Sequence, residues 1–353
     1  MSIFGGKYKF KNPMIKYSFI IPVKTINDYI REAVPKILEI ESNGVARDDY
    51  EIIIYPDEVN NEFWSRTRQI ATGHCGPATK RSRAIKEAVG EILIFIDDDA
   101  YPERNFLDIL DSGFTDEQVK AIGGPALTPP HDSFWAKVSG AVFLSSLSGG
   151  NPERYVSRGA KRSVDDWPSV NFSIRKTTFT ELGGFDSEFW PGEDTKLCLD
   201  LIKKYPASII YDPALIVYHH RRPGLRKHLK QVSGYGLHRG FFAKKYPATS
   251  RRFKYFLPSA FLLFVISSFI LGWLSQNALF GQNQIFKIIS YLCLFGWVIY
   301  FLALIKALFD IRRYEKNIFV ALNAVYYIVL THLIYGYSFL RGLSVKNLKS
   351  KLR

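Results

Sequence analysis

Short apolar runs alternate with amphipathic stretches over the first 220 residues of the chain. Residues 28–40 and 78–89 repeat apolar positions at the spacing of a helix. Four runs rich in aliphatic residues predict buried strands: residues 17–23, 51–55, 91–96 and 121–123. This alternation predicts an α/β domain with a mostly parallel sheet that is covered by helices on both faces.

The last hundred residues follow a different pattern. Three long stretches without a charged residue have the length needed to cross a bilayer: residues 256–274, 288–305 and 317–340. Helices of a soluble protein would show a polar face, so these stretches predict membrane segments. The chain therefore divides into a first domain at residues 1–245 and a membrane domain at residues 246–353.

The positive charge of the chain is concentrated beside these segments. The 353 residues carry a formal net charge of +14, yet residues 1–220 hold 26 Lys and Arg against 31 Asp and Glu. Residues 221–254 hold 11 basic residues and no acidic one, and residues 341–353 hold five and none. Basic blocks that flank membrane segments are typical of anchors for anionic lipid. We therefore expect a membrane partner and no nucleic acid.

The same charges predict the orientation. The N-terminus has no long apolar core, so we expect no secretory signal and a first domain on the cytoplasmic face of the cell membrane. Three full crossings would place the basic tail outside, against the positive-inside rule. The third segment, which contains Tyr335, Gly336, Tyr337 and, just beyond it, Gly342, is the best candidate for a partly interfacial helix.

Ligands of parallel α/β sheets bind beyond the carboxyl ends of strands. The run IFIDDDAYP ends a strand in three aspartates. In an extended chain Asp97 and Asp99 share one face and Asp98 faces the other way. Two carboxylates on one face suit a divalent ion that also binds a diphosphate. The alternative is a solvated acidic turn, but the repulsion between these carboxylates favours a metal site.

Two further signals lie downstream. Asp194 follows Gly192 at the predicted start of a helix, where the helix dipole would keep its carboxylate ionised and able to deprotonate a hydroxyl. A simple N-cap is a nearly equal alternative for Asp194. The run YHHRR follows a predicted strand, so His219 could complete the metal site, and Arg221 and Arg222 could neutralise a diphosphate.

Seven sequence motifs, taken in their order along the chain, resemble those of the family-2 glycosyltransferases with a GT-A fold. The resemblance covers roughly residues 17–245, and the last segments are similar to the membrane-anchored branch of the family. It rests on FIIPVK, EIIIYPD, GPATKRSRAIKEAVGEILIFIDDDAYP, GGPALTPP, NFSIRK, LGGFDSEFWPGEDTKLCLDL and YDPALIVYHH. The resemblance implies transfer of one sugar from a nucleotide-sugar to an acceptor hydroxyl, with inversion and with Mn²⁺ or Mg²⁺.

The resemblance also implies roles for single residues. Asp194 matches the catalytic base, and Asp99, Asp97 and His219 match the metal ligands. Arg221, Arg222 and Arg239 are candidates for a diphosphate or a lipid phosphate. The implied contacts of the nucleotide-sugar are Pro22, Lys24, Asp57, Arg81, Asp97, Asp98, Asn171 and Glu193.

Some positions depart from the family pattern. Pro56 and Asp57 stand where the family shows an acidic pair, and Ser82 replaces the usual Asn after Arg81, which leaves the donor base open. No QxxRW sequence is present, which argues against a processive synthase.

A membrane-tethered transferase gains most from an acceptor in the same membrane, so we expect a polyprenyl-(di)phosphate-linked glycan of surface polysaccharide or glycoprotein assembly. Two alternatives stay open at this point. One is a polyprenyl-phosphate hexosyltransferase, whose ionised acceptor would need no base. The other is a catalytically silent membrane scaffold that keeps only the fold.

Overall fold

The computed structural model describes residues 14–149, 151–186, 189, 191–276 and 283–348. An eight-stranded sheet forms the centre of the first domain, and helices α10 to α12 follow it. The elements in chain order are β1 (Tyr17–Pro22), α1 (Asp28–Leu38), β2 (Glu41–Ser42), β3 (Val45–Ala46), β4 (Tyr50–Tyr55), β5 (Thr67–Gln69), α2 (Pro77–Ser82), α3 (Ala84–Glu87), β6 (Ile92–Phe95), β7 (Ala100–Pro102), α4 (Phe106–Gly113), β8 (Ala121–Gly123), β9 (Ala126–Leu127), α5 (Phe134–Ala141), β10 (Arg162–Val164), β11 (Phe172–Arg175), α6 (Lys176–Glu181), α7 (Glu193–Lys204), β12 (Ile209–Tyr211), β13 (Val217–His219), α8 (Leu225–Lys245), α9 (Pro247–Ser250), α10 (Phe253–Leu274), α11 (Gln284–Arg312) and α12 (Ile318–Ser344).

The main sheet has the strand order β10-β12-β8-β11-β6-β1-β4-β5. Strand β1 pairs in parallel with β4 and β6, and all three strands are buried, as their apolar runs predict. The expectation of a mostly parallel sheet is confirmed, because all strands of this sheet except β10 and β11 run in one direction. Strand β11 runs antiparallel to both β6 and β8, and β10 runs antiparallel to β12. The fold is α/β with a mixed sheet.

The predicted helix at residues 78–89 is divided into two. Helix α2 ends at Ser82, Arg83 lies between the two helices, and α3 ends at Glu87. Both pieces still bury their apolar side chains: Ala78 and Ala84 lie in the core between the sheet and α7. Lys80 and Arg81 lie on the buried side of α2 and are each only 3% exposed.

A second sheet of three strands joins distant parts of the chain at the carboxyl end of β6. Strand β13 lies between β7 and β9, antiparallel to β7 and parallel to β9. In this register His219 lies opposite Ala100. The small sheet therefore brings the end of β13 beside the three aspartates that precede β7.

The three apolar segments form helices longer than the sequence runs. Helices α10, α11 and α12 have 22, 29 and 27 residues and are long and apolar enough to cross a membrane. Helices α10 and α11 form an antiparallel hairpin, in which Cys293 lies beside Ser268 and Phe264 contacts Gly296. Helix α12 packs against α5 and α8 of the first domain as well as against α10.

Candidate active site

Three predicted metal ligands come together at the carboxyl end of β6. Pairing of β7 with β13 brings His219 beside Asp99, and the backbone N–H of His220 donates to the Asp99 carbonyl at 2.9 Å. One ligand atom each of Asp97, Asp99 and His219 lies within 4.8 Å of the others. We call these three residues the strand-end cluster.

Cationic groups hold the two carboxylates of this cluster. Asp99 is 3% exposed; its Oδ1 lies 3.1 Å from His219 Nε2, and its Oδ2 accepts a hydrogen bond from Arg222 at 2.9 Å. Asp97 is more open and accepts from Arg81 at 2.5 Å. Charge-assisted hydrogen bonds of this kind are short and strong, and they fix the orientation of both carboxylates.

The strand-end cluster fits a hard divalent ion through its carboxylates, because oxygen ligands suit Mg²⁺ and Mn²⁺. The imidazole of His219 could bind such an ion only after the proton on its ring has moved from one nitrogen to the other. Arg221 donates to Nδ1 of His219 at 2.9 Å, and an arginine can only donate, so the proton of the neutral ring lies on Nε2, facing Asp99. His219 could bind a metal through Nε2 once this proton moves and the contact with Arg221 breaks.

The three aspartates lie on a turn and not on the extended chain that the sequence predicts: β6 ends at Phe95, and the Ala100 N–H donates to the Asp97 carbonyl at 3.2 Å. Asp98 bonds to helix α1. Its Oδ2 accepts from the Asn27 amide at 2.8 Å, and Asn27 also caps helix α1 through its Oδ1. Burial and the nearby Asp99 charge raise the pKa of Asp98 to about 6. The side chain of Asp98 therefore fastens α1 to the end of β6.

Arg81 connects this cluster with the start of helix α7. One guanidinium nitrogen donates to Asp97, and another donates to Glu193 Oε1 at 2.9 Å. Glu193 is 4% exposed, and its burial, together with the adjacent Asp194, raises its pKa to about 7. The bridge is possible because Arg81 lies on the buried side of α2, facing both carboxylates.

A second group of carboxylates lies at the start of α7. The N-cap residue is Gly192, which has a φ of 125°, so Asp194 lies in the first turn and is not the N-cap. Thr195 Oγ1 donates to Asp166 at 3.4 Å, and this contact brings Asp166 close to Asp194. We call Glu193, Asp194 and Asp166 the helix-start cluster.

Burial and a neighbouring charge act against the helix dipole at Asp194. Burial raises the pKa of Asp194, and the negative charge of Asp166 raises it further. The backbone N–H of Thr195, which donates to Asp194 at 2.8 Å, and the cations Arg154 and Arg239 offset only part of this shift. A carboxylate with a raised pKa is a better proton acceptor than an ordinary aspartate.

The predicted base-pocket residues lie at the ends of β1 and β4. Pro22 is buried in β1, Lys24 is exposed just after it, and Asp57 donates its backbone N–H to the Lys24 carbonyl at 2.9 Å. Lys80 lies beneath them and donates to Asp57 Oδ1 and, at 2.7 Å, to the Val23 carbonyl. Its charge lowers the pKa of Asp57 against the opposing effect of burial.

Three predicted binding residues are instead buried among protein groups. Asn171 has no exposed surface and donates to the carbonyls of Pro125 and Leu215. Arg221 is 8% exposed and donates to Thr128 as well as to His219. Arg239 donates to Ser250 and lies beside the Tyr255 ring. Among the described residues Asn171 Oδ1 has no hydrogen-bond partner but is buried, whereas Arg221 and Arg239 already donate to protein groups.

Sequence reasoning missed several residues of the site. Lys80 stands next to Arg81, but a lysine in an amphipathic helix is usually a surface residue, so burial was not expected. Asp166 and Arg154 lie outside every quoted motif and form an ion pair at 3.3 Å beside the helix-start cluster.

Family models match most of the chain. The model described as glycosyl transferase family group 2 matches residues 92–339, and the model described as glycosyl transferase family 2 matches residues 18–162. The chain belongs to glycosyl transferase family 2. Membership confirms the resemblance seen in the motifs and, at the level of the family, the expectation of a glycosyltransferase.

Curated relatives of this family 2 chain are distant. A pre-mycofactocin glycosyltransferase of Mycobacterium tuberculosis is 29% identical over 161 residues, which cover 46% of this chain and 33% of that protein. The matched region thus spans about a third of that relative. A Methanococcus voltae protein is 23% identical over 274 residues, covering 73% of this chain and 82% of its own length. It is a dolichyl N-acetyl-alpha-D-glucosaminyl phosphate 3-beta-D-2,3-diacetamido-2,3-dideoxy-beta-D-glucuronosyltransferase.

A solved structure shares the fold of this family 2 chain. It is the mannosyltransferase PcManGT from Pyrobaculum calidifontis, in complex with GDP-Man and Mn²⁺. The two superpose with a TM-score of 0.59 over 95% of this chain and 88% of that one, at 15% identity. This likeness confirms the predicted GT-A fold.

Proposed function

We propose that this family 2 enzyme transfers one sugar, with inversion, from a nucleotide-sugar to a hydroxyl of a glycan carried on a polyprenyl (di)phosphate in the membrane. The reaction would contribute to the assembly of a surface polysaccharide or a glycoprotein glycan. The name of the Methanococcus voltae relative, which specifies a dolichyl phosphate acceptor, supports a lipid-linked acceptor for this chain as well.

The observation that carries the proposal is the pair of carboxylate clusters that Arg81 joins. The strand-end cluster offers charged oxygens beside Arg222, and the helix-start cluster offers a buried carboxylate with a raised pKa. A sugar transfer needs both kinds of group: one that holds the departing diphosphate through a cation and one that takes a proton. The two lie on either side of a single guanidinium.

Asp194 is the general base in this proposal. Its carboxylate takes the proton of the acceptor hydroxyl while that oxygen bonds to the anomeric carbon. The bond from the anomeric carbon to the diphosphate oxygen breaks, and its electron pair leaves with the nucleoside diphosphate. A single base suffices for this one-step inversion. Arg81 holds Glu193 in an ion pair, so Glu193 is not a second nucleophile.

Asp97 and Asp99 would hold Mn²⁺ or Mg²⁺, with His219 as a third ligand after its proton shift. The ion, when bound, supplies positive charge for the diphosphate oxygens. Arg222, now bonded to Asp99, would be free to turn toward the diphosphate once the ion takes its place. Lys24 and Asp57 would contact the nucleotide base at the ends of β1 and β4.

The chain associates with a membrane through its apolar helices, and we propose that the catalytic domain faces the cytoplasm. Basic residues lie at the domain end of the hairpin: Arg251, Arg252, Lys254, Lys306, Arg312, Arg313 and Lys316. The connection between α10 and α11, residues 275–283, carries no charge. The positive-inside rule favours this orientation.

Nucleotide release tests the proposal. Detergent-purified protein is incubated with UDP-, GDP- or dTDP-sugars, Mn²⁺ or Mg²⁺, and membrane lipid extract. We expect release with one donor class that requires metal, lipid, Asp99 and Asp194. The matched control is Asp200→Asn, which removes a carboxylate from the same helix, α7, at a residue paired with Lys196.

Each failure has its own meaning. Full activity of Asp194→Asn with loss in Asp99→Asn would indicate a polyprenyl-phosphate hexosyltransferase, because a phosphate acceptor is already ionised. Release without lipid extract would exclude a lipid-linked acceptor. Absence of both turnover and donor binding with every donor would indicate a catalytically silent scaffold.

A further inference from the structure

The third apolar helix differs from the other two in what surrounds it. In their most apolar stretches, 6% of α10 and 0% of α11 are buried by protein, whereas 39% of α12 is buried. The partners of α12 include α5 and α8, which belong to the catalytic domain. A helix that crosses a bilayer beside a cytoplasmic domain would contact that domain at one end only.

Helix α12 contacts the catalytic domain at its beginning. Val320, Ala321 and Ala324 pack in one apolar cluster with Val138 and Ala141 of α5. One turn later, the Tyr327 ring stacks on Trp135 of α5, with 6.4 Å between ring centroids. The first three turns of α12 therefore lie on the domain.

The contact continues along α8 to the last turn. His228 lies 2.9 Å from Thr331, and Ser233 Oγ lies 2.9 Å from Ser338 Oγ. Gly240 contacts the Phe339 backbone so closely that a Cβ would lie 2.1 Å from its carbonyl oxygen. Beyond the end of the helix, Lys244 donates to the Val345 carbonyl at 2.6 Å. The two helices thus run parallel, in contact from residue 228 of α8 onward.

Crossing by α12 would carry α8 into the hydrocarbon, because the two are packed side by side. Helix α8 exposes five basic side chains: Arg226, Lys227, Lys230, Lys244 and Lys245. Charged side chains within the hydrocarbon are costly. The same residues are favourable where α8 lies at the level of the anionic headgroups.

The outward face of α12 is apolar. Its exposed large side chains fall on one side of the helix: Ile318, Phe319, Leu322, Tyr326, Tyr337 and Leu340. Aliphatic and aromatic side chains with tyrosine hydroxyls are typical of helices at a membrane interface. Helix α12 is also fastened to the start of the hairpin of α10 and α11, because Ser259 of α10 donates to the Gly336 carbonyl of α12 at 3.0 Å. This contact places α12 where the hairpin enters the membrane.

We propose that α12 does not cross the bilayer but lies in its plane on the side of the catalytic domain, with its exposed face bound to the acyl chains of the adjacent leaflet. Only the hairpin of α10 and α11 crosses. The basic residues that follow α12 then remain on the same side as the domain, which removes the conflict with the positive-inside rule. This proposal does not rest on the proposed reaction.

A pair of single cysteines tests the topology. Ser275→Cys lies at the far end of α10 and Ser344→Cys at the end of α12, each in a chain whose Cys75, Cys198 and Cys293 are replaced by alanine. Intact cells and inverted vesicles are treated with a membrane-impermeant maleimide. An in-plane α12 places the two cysteines on opposite sides of the membrane. Labelling of both from the same side would overturn the proposal. Gln276→Cys and Lys346→Cys report the same two sides if the first pair does not accumulate.

A depth measurement tests the leaflet contact. Nitroxide labels at Leu322→Cys and Leu340→Cys are compared in vesicles of phosphatidylethanolamine and phosphatidylglycerol by their relaxation with oxygen and with a water-soluble nickel complex. Because the two positions are 18 residues apart, a crossing helix would separate them by about 27 Å in depth. We expect equal, shallow depths. Unequal depths, or labels fully in water, would contradict the proposal.

Discussion

The strand-end and helix-start clusters both gather carboxylates around Arg81, but they treat the negative charge in opposite ways. In the strand-end cluster, Asp97 meets Arg81 and Asp99 meets Arg222, so the charge of each is compensated. In the helix-start cluster, burial and the charge of Asp166 disfavour ionisation of Asp194 and raise its pKa. The same side chain therefore suits ion binding in one place and proton transfer in the other, and its surroundings decide which.

Removal of the proton acceptor should have the largest effect on this contrast. Asp194→Asn keeps the size of the side chain but cannot take a proton. We expect kcat for a hydroxyl acceptor to fall by about 10³-fold, within the usual range for a general base. Steady-state assays against Asp200→Asn measure the effect. A loss of less than threefold in kcat would show that Asp194 is not the proton acceptor.

Removal of a charge from the strand-end cluster should come next. Asp99→Asn removes the negative charge that faces His219 and Arg222, replaces one of the two acceptor oxygens by an amide donor and weakens the metal site. We expect a fall of about 10²-fold in kcat/KM and a higher requirement for Mn²⁺. Titration with Mn²⁺ after treatment with a chelator measures both. An unchanged metal requirement would mean that Asp99 does not bind the metal and serves only to hold Arg222 and His219.

A change to the shared guanidinium should have a smaller effect. Arg81→Lys keeps the charge, but an ammonium cannot bridge Asp97 and Glu193 as the planar fork does. We expect kcat/KM to fall by about tenfold, because unpaired Glu193 disturbs the start of α7. Thermal unfolding in detergent is the companion measurement, since the buried pair also stabilises the fold. Equal activity in Arg81→Lys would mean that only the charge matters.

Removal of the neighbouring negative charge should alter the pH dependence rather than the maximal rate. In Asp166→Asn the ionised form of Asp194 loses its repulsion, so the pKa of Asp194 falls and the acidic limb of the rate profile moves to lower pH. We expect the plateau to stay within about threefold. Asp165→Asn is the control, because that exposed residue pairs with Arg252 and not with the cluster. If the acidic limb of the rate profile stays in place or moves to higher pH, then the charge of Asp166 does not raise the pKa of Asp194.

The two clusters also differ in how far the sequence could predict them. Three consecutive aspartates after an apolar strand single out Asp97 and Asp99 from local pattern alone, although the backbone there forms a turn and not the extended chain that the pattern predicts. The helix-start cluster depends on Asp166, which the fold brings beside Asp194 from outside every motif. Its charge and the burial act against the expected effect of the helix dipole, and no spacing rule contains that information.

The same limit applies to the fold. Buried runs predict β1, β4 and β6, because their periodicity is local. The antiparallel direction of β11 depends on its pairing with β6 and β8, which are distant in the sequence. Neither this pairing nor the break at Arg83 follows from the spacing of apolar residues. In the membrane domain, length and composition predict three membrane segments, and the basic tail with Tyr335, Gly336 and Tyr337 already marks the third as the candidate for an interfacial helix. In the structure, packing against α8 distinguishes α12 from the hairpin.

The close packing of α8 and α12 has a consequence for biogenesis. The ribosome makes α8 before the hairpin and α12 after it, so the surface around Gly236 and Gly240 stays uncovered while α10 and α11 enter the membrane. Helix α8 therefore gains its most extensive packing partner only when the last described helix has been made, after both helices of the hairpin.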